Sequence, residues 1–349
     1  MRIPHSRPTI AQDDIDAIKE VLVTGMIAQG DKVKEFEEDF ARFIGKKYAV
    51  ACSSGTSALH LAMICLNITS GDEVILPSYV CSSPYIACLH AGAVPRVTDI
   101  SDHGFNICPK NVNNERSDKT KAIIVPHMFG TPADLDEISV EGVRVVEDCA
   151  QSPGATYRGK MTGAFGDISI FSFYATKMLT TGEGGMLLTD IQEVSDYAKE
   201  LRAYDMKSLS PPKYNYKMTD IQAALGISQL HKLKQFIETR RKQALLYSEA
   251  LEGFGIGLPE KHTHMNPIYY RYVISIKESE RVQDFAKKRG VICEKPVFLP
   301  LHRSLGLKEF PNTERAYSQA LSIPLYPSLS SEEQDYVIHT LRKALSYVK

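Results

Sequence analysis

The sequence lacks the marks of several large protein classes. Its seven cysteines (Cys52, Cys65, Cys81, Cys88, Cys108, Cys149 and Cys293) form no C-x-x-C pair, and several lie in apolar runs. That pattern argues for reduced, buried thiols rather than a disulfide or zinc framework. Basic runs and acidic tails are missing. With 41 basic against 42 acidic residues, charge gives no reason to expect nucleic acid or an anionic membrane as partner. No stretch is apolar enough for long enough to span a bilayer, because VILPSYVCSSPYIACLHAGAVP is broken by prolines, serines and a histidine. The opening MRIPHSRPTIAQDD has no charged-then-apolar signal pattern. Internal repeats and low-complexity tracts are absent. The histidines are scattered, with no H-x-x-x-H pair beside a plausible carboxylate, so no metal is expected. A soluble cytoplasmic protein is the expectation.

What is present reads as an α/β chain. At 349 residues it can fill two packed domains. Residues 11–43 carry helical spacing, interrupted by IAQGDKV. YAVACSSGTSALHLAMICL reads as a strand, a Ser/Gly turn and an apolar helix. Strand-like runs follow at regular distances: DEVILP, AVPRVTDI, KAIIVPHMFG, VRVVEDCA, DISIFSF and GGMLLTD. Helix-compatible segments such as SSPYIACLHAG separate many of them. The alternation predicts a mostly parallel mixed sheet with helices on both faces, whose ligands gather at the carboxyl ends of the strands. After about Tyr216 a long helical segment leads to a second set of strands and helices. We therefore expect a large domain over residues 1–235, with an N-terminal helical segment, and a smaller C-terminal α+β domain over 236–349.

Three stretches carry candidate chemistry. In SSGTSALHLAM, a strand ends in Ser-Gly-Thr-Ser at the start of an apolar helix. Free backbone N–H groups and the helix dipole there suit a phosphate, with Gly55 allowing close approach and Thr56 and Ser57 offering hydroxyls; simple helix capping is the alternative. In VVEDCAQSPGA, Glu147 and Asp148 end an apolar strand on the ligand-facing edge. A carboxylate there can pair with a buried cation such as a protonated ring nitrogen, or merely cap the next turn. In FSFYATKMLTTGEGG, a lone lysine, Lys177, sits among small and hydroxylated residues. It is either a solvated loop residue or an amine made nucleophilic by desolvation. Ser172 adds a hydroxyl on the same edge, and GEGG a turn in which bulky side chains would clash. Phosphate cradle, lone carboxylate and shielded lysine have one economical explanation, pyridoxal 5′-phosphate.

At these residues the chain resembles the DegT/DnrJ/EryC1/StrS family of pyridoxal-phosphate sugar aminotransferases, within the type I fold. The similarity runs from RPTIAQDDIDAIKEVL through QGDKVKEFEEDFARFIGKKYAVACSSGTSALHL, GDEVILPSYV and MFGTPADLDEI. It is most specific in VEDCAQSPGATYRGKMTGAFGDISIFSFYATKMLTTGEGGMLLTD, and YNYKMTDIQAALGISQLHKL supports it. The resemblance implies Lys177 as the Schiff-base and proton-moving lysine, with Asp148 paired to the pyridine nitrogen. It implies Gln151 near the ring hydroxyl, and Gly55, Thr56 and Ser172 on the phosphate. Asn215 would reach the phosphate of a neighbouring subunit, so a homodimer with sites at the interface is implied. Three positions depart from the family pattern. Cys81 stands where an aromatic residue often stacks on the ring, Lys217 replaces an arginine, and CEKPVFLPLH replaces the commoner HYPxPLH. Tyr79, Cys81 and His302 are thus the candidates for ring stacking or substrate contact. The implied reaction moves an amino group from an amino acid, glutamate above all, to a keto sugar carried on a nucleotide, the cofactor passing through its pyridoxamine form. The rivals are a sugar dehydratase, a cyclitol aminotransferase and a non-enzymatic phospholigand-binding protein. Lys177 argues against the dehydratases of this family, which carry histidine there.

Overall fold

The computed structural model describes residues 2–138, 140–205, 207–208, 210–260 and 263–348. Its centre is a seven-stranded sheet, in spatial order Tyr48–Cys52, Gly185–Thr189, Ile168–Ser172, Arg144–Asp148, Thr120–Pro126, Glu73–Pro77 and Val94–Thr98. Gly185–Thr189 runs antiparallel to both neighbours, and the rest share one direction. The fold is therefore α/β, with a mostly parallel mixed sheet, as the alternating pattern predicts.

The strands are short and apolar on both faces because both faces are covered. Val50, Ile170 and Leu187 point into one core, while Ala49, Ala51, Phe171, Met186 and Leu188 point into another. Val74, Leu76 and Ile124 join the first, and Ile75, Ile123 and Val125 face a smaller cluster on the opposite side. This is the period-two alternation of a pleated strand, and it reads as a continuous apolar run when each face meets helices. Gly55–Cys65 supplies Leu59, Leu61 and Met63 to the first core. Asp31–Ile44 supplies Phe36 and Phe40 to the second, where Phe40 meets the edge of Phe171 at 4.8 Å.

The long helix Asp220–Leu251 begins with a capping box between Thr219 and Gln222. It passes from one core to another: Leu230, Leu233 and Ile237 pack against the sheet, whereas Ala244, Tyr247 and Leu251 belong to a separate C-terminal core. That core covers the antiparallel pair Tyr272–Ser275 and Ala320–Ile323 with the helices Ser279–Lys287 and Ser331–Val348. We propose that the domain boundary lies within this helix, between Ile237 and Ala244. A short hairpin, Thr156–Tyr157 with Lys160–Met161, escapes sequence reading because two-residue strands have no hydrophobic period. Its turn is nevertheless explicable, with Arg158 and Gly159 at φ 47° and 79°. No described helix is long and apolar enough to cross a membrane.

The start of the chain threads back into the C-terminal core. Ile3 is fully buried there and bridges to Val291. His5 follows, its Nε2 2.8 Å from Ser322 Oγ and its ring receiving an N–H of Arg271 at 2.9 Å. Burial, then the charges of Arg271 and Arg240, pull the imidazole down from 6.5 to about 3. A folded pKa below the unfolded one means the unfolded chain takes up the proton first. This contribution is complete above pH 6.5 and is lost as pH falls towards 3. His5→Gln is expected to flatten the decline of Tm between pH 7 and pH 5, read by thermal unfolding at fixed ionic strength.

Candidate active site

The candidate residues converge at the carboxyl ends of the central strands. The acidic pair divides by pleat parity. Glu147 is fully buried beneath the strand, where its carboxylate accepts the N–H groups of Gly163, Phe165 and Gly166 at 2.8, 2.8 and 2.6 Å. His127 donates a fourth bond from Nε2 at 3.1 Å, because its Nδ1 already accepts the Ala133 N–H. Although burial opposes ionisation, the bonds from His127 and these amides hold the Glu147 carboxyl below its usual range. His127, Glu147 and Cys149 lie close enough to suggest a metal site. These bonds show what they are built for instead: a buried acid that closes a loop.

Asp148 points the other way. Its carboxylate is 6% exposed and accepts one backbone N–H, from Ala150 at 3.0 Å. Among the described residues it has no ion-pair partner. Burial holds its carboxyl above the usual range, against the opposing pull of Ala150, Lys177 and His127.

Facing it, Ser54 caps the helix Gly55–Cys65 by accepting the Ser57 N–H at 3.0 Å. The capping alternative is thus real, but it does not account for the packing around the turn. A Cβ on Gly55 would lie 2.9 Å from Ser172 Cβ, and one on Gly185 would lie 2.3 Å from the Ser54 carbonyl oxygen. Glycine at both positions lets the serine-glycine turn, Ser172 and the GEGG segment close on one point. Thr56 Oγ1 stands 2.7 Å from the hydroxyl of Ser83, which opens the helix Ser83–His90. Ser83 is a site hydroxyl that sequence reading passes over, although its position after the GDEVILP strand is a usable signal.

Lys177 follows a tight turn in which its N–H bonds to the Tyr174 carbonyl at 2.8 Å. Its side chain is half-buried, and Nζ lies 5.1 Å from the ring centre of Tyr270. Its charge is felt at Asp148 and at the Cys81 thiol, so the three groups lie near one another. Tyr270 is the principal residue that sequence reading misses: the run YYRYV carries no local sign that one of its rings meets a lysine from another domain.

The remaining candidates divide. Gln151 accepts the Phe129 N–H through Oε1 at 2.8 Å, leaving its amide N–H groups as the part free to donate. Cys81 is exposed to the cleft. Tyr79 is not: it is fully buried, stacked on Phe105 at 5.7 Å and edge-on to Phe129. It has no ring face left for a ligand, so as a stacking candidate it is corrected to a core residue. His302 is likewise spent, with Nδ1 2.7 Å from Ser78 Oγ and Nε2 2.6 Å from Glu314. It clasps the helix Leu301–Leu305 to the loop after a sheet strand, which removes it as a free substrate contact. Asn215 is exposed, whereas Tyr214 and Tyr216 on either side stack at 5.0 Å, and the Tyr216 carbonyl accepts the Ser53 N–H at 2.8 Å beside the serine-glycine turn.

A lysine near a buried carboxylate, beside a helix start at the carboxyl edge of a parallel sheet, is the arrangement expected of a pyridoxal-phosphate-dependent aminotransferase. The chain belongs to the DegT/DnrJ/EryC1/StrS aminotransferase family, whose model matches residues 8–342. It is 35% identical to the spore coat polysaccharide biosynthesis protein SpsC of Bacillus subtilis, covering 97% of this chain and 96% of that one. It is 31% identical to the GDP-perosamine synthase of Escherichia coli O157:H7, covering 99% of each. Among solved structures, the PLP form of the putative sugar aminotransferase Spr1654 from Streptococcus pneumoniae superimposes with a TM-score of 0.93 at 26% identity, over the full length of both chains.

The adjacent acids should respond oppositely to neutralisation. Glu147→Gln replaces an acceptor of several amide bonds and is expected to cost about 2–4 kcal/mol. Asp148→Asn removes a poorly compensated buried charge and is expected to leave stability unchanged or raise it by about 1 kcal/mol. Urea unfolding of the cofactor-free protein reads both.

Proposed function

We propose that the protein transfers an amino group from an amino acid, glutamate above all, to a keto sugar carried on a nucleotide, using Lys177 and Asp148 around pyridoxal 5′-phosphate. The observation that carries this reading is a buried Asp148 carboxylate, with no ion-pair partner among the described residues, close enough to a half-buried Lys177 to feel its charge.

The residues fit the cofactor. Glycine at 55 and 185 lets Ser172 and the Ser54 backbone close up where a Cβ would find no room. The helix start beside that contact suits a phosphate, with the first turn of Gly55–Cys65 supplying N–H groups and Thr56 and Ser172 supplying hydroxyls. Asp148, costly to bury alone, gains its missing countercharge from a protonated ring nitrogen. Gln151, its oxygen already engaged, would offer N–H to a ring hydroxyl. When bound, the cofactor supplies an electron sink next to the substrate carbon. The chain's own part is to hold that ring protonated through Asp148 and to move a proton on and off the substrate carbon with Nζ of Lys177.

The keto-sugar substrate rests on the relatives' names, a GDP-sugar enzyme and a polysaccharide biosynthesis protein among them. Asn215, exposed between two inward-facing tyrosines, fits a residue given to the neighbouring subunit of a homodimer. We place the reaction in the cytoplasm, where nucleotide-linked sugars and amino acids meet.

Amino transfer from glutamate to nucleotide-linked keto sugars is the test. Lys177→Ala is expected to abolish turnover and covalent capture of pyridoxal phosphate. Asp148→Asn should still take up the cofactor but lose at least about a hundredfold in kcat. Full activity of either variant would overturn the assigned roles.

A further inference from the structure

Tyr270 reaches Lys177 from far along the chain, and its seat is fixed at several points. The ring is 6% exposed. Its hydroxyl is 3.2 Å from Oγ1 of Thr176, the residue before the lysine, and receives an N–H of Arg271 at 3.4 Å. The preceding residue, Tyr269, holds φ at 51°, a left-handed value that side chains adopt at a cost. The buried guanidinium of Arg240 restrains this bend by donating to the carbonyls of Tyr269, Tyr270 and Leu325 at 3.3, 3.1 and 2.9 Å. From the other side, the Ile268 N–H bonds to the Gly130 carbonyl, and a Cβ on Gly130 would fall 2.9 Å from the Tyr270 nitrogen. The Phe129–Gly130 turn is held in its place by Gln151.

We propose that Tyr270 is a positioning residue for Lys177, its ring face holding the free amine at one point of the cleft so that it meets an incoming aldehyde in a fixed direction. A lysine has four flexible methylenes, and confining it to one arrangement is costly unless something at the far end holds the charge. An aromatic face in a partly desolvated site holds the protonated amine by its charge alone, and once the proton leaves, that hold ends with the amine already placed to meet the aldehyde. The surroundings favour this use of the phenol. Burial alone would raise the Tyr270 hydroxyl, but Lys177, Arg271, the Thr176 bond and Arg240 outweigh it and bring it to about 8. Neither Arg240 nor Arg271 has a carboxylate ion-pair partner among the described residues, so this phenol is the electron-rich group that the cations share.

The inference rests on the reading of Lys177 as the cofactor-binding amine, and the test separates the two. Cofactor-free protein is mixed with pyridoxal phosphate at pH 7, trapped with borohydride at timed intervals, and the labelled peptide identified by mass spectrometry. Tyr270→Phe keeps the ring and is expected to capture cofactor within about threefold of the native rate. Tyr270→Leu and Tyr270→Met, which remove the aromatic face, are expected to slow capture about tenfold or more while still unfolding cooperatively above the assay temperature. In the same apoproteins, acetic anhydride should label Lys177 faster in the Leu and Met variants, since the amine is no longer held, while other lysines keep their native labelling. Native-rate capture in both aromatic-free variants would overturn the proposal, as would an equal loss in Tyr270→Phe. A native protein that takes up no cofactor at Lys177 would instead overturn the underlying reading.

Discussion

The site depends on one close approach. The antiparallel strand Gly185–Thr189 is inserted between two strands that run the other way, and its first residue abuts the backbone of Ser54 where the neighbouring strand gives way to a helix. No side chain fits between them. This contact brings the helix start, Ser172 and the GEGG turn to one place, and it makes the lysine loop, suspended between Ser172 and Gly185, come down beside them. A Cβ at Gly55 or Gly185 would force these segments apart. Steric exclusion sets the geometry, and electrostatics acts within the space that remains.

Pleat parity imposes the second constraint. Glu147 and Asp148 have the same charge and adjacent positions, yet the strand turns one into the protein and the other into the cleft. The inner one is satisfied by several N–H groups and stays ionised. The outer one has a single backbone donor and is left costly to charge. The protein thus holds in reserve a carboxylate whose stability improves when a cation arrives, while the cost of burying its neighbour is met by loop closure.

How much of this is legible in the sequence follows from where each interaction is encoded. The parallel sheet is legible because its inner strands are apolar on both faces and set off by Gly, Ser or Asp. Lys177, Asp148 and the Ser54–Ser57 turn are legible because each is a departure from its immediate neighbours. Tyr79 and His302 mislead for the same reason: an aromatic residue near the cleft and a histidine in a recognisable triplet look functional in one dimension. Only the three-dimensional packing shows their surfaces already consumed, by Phe105 and Phe129 in one case and by Ser78 and Glu314 in the other. Tyr270 is hidden for the opposite reason. Its neighbours are tyrosines too, and nothing local tells which of them leaves the C-terminal core for the lysine.

The same contacts explain how the C-terminal half of the chain reaches the site. The segment 268–271 belongs to the C-terminal half of the chain, yet its backbone is docked on the Phe129–Gly130 turn of the sheet domain and its ring lies under Lys177. Gln151 holds that turn through its side-chain oxygen. Ile268 and Tyr270 pack in the same core as Phe171, Met178 and Leu233, so this stretch of the C-terminal half is built into the sheet domain. A substitution in the Phe129–Gly130 turn will therefore be felt at the ring beneath Lys177.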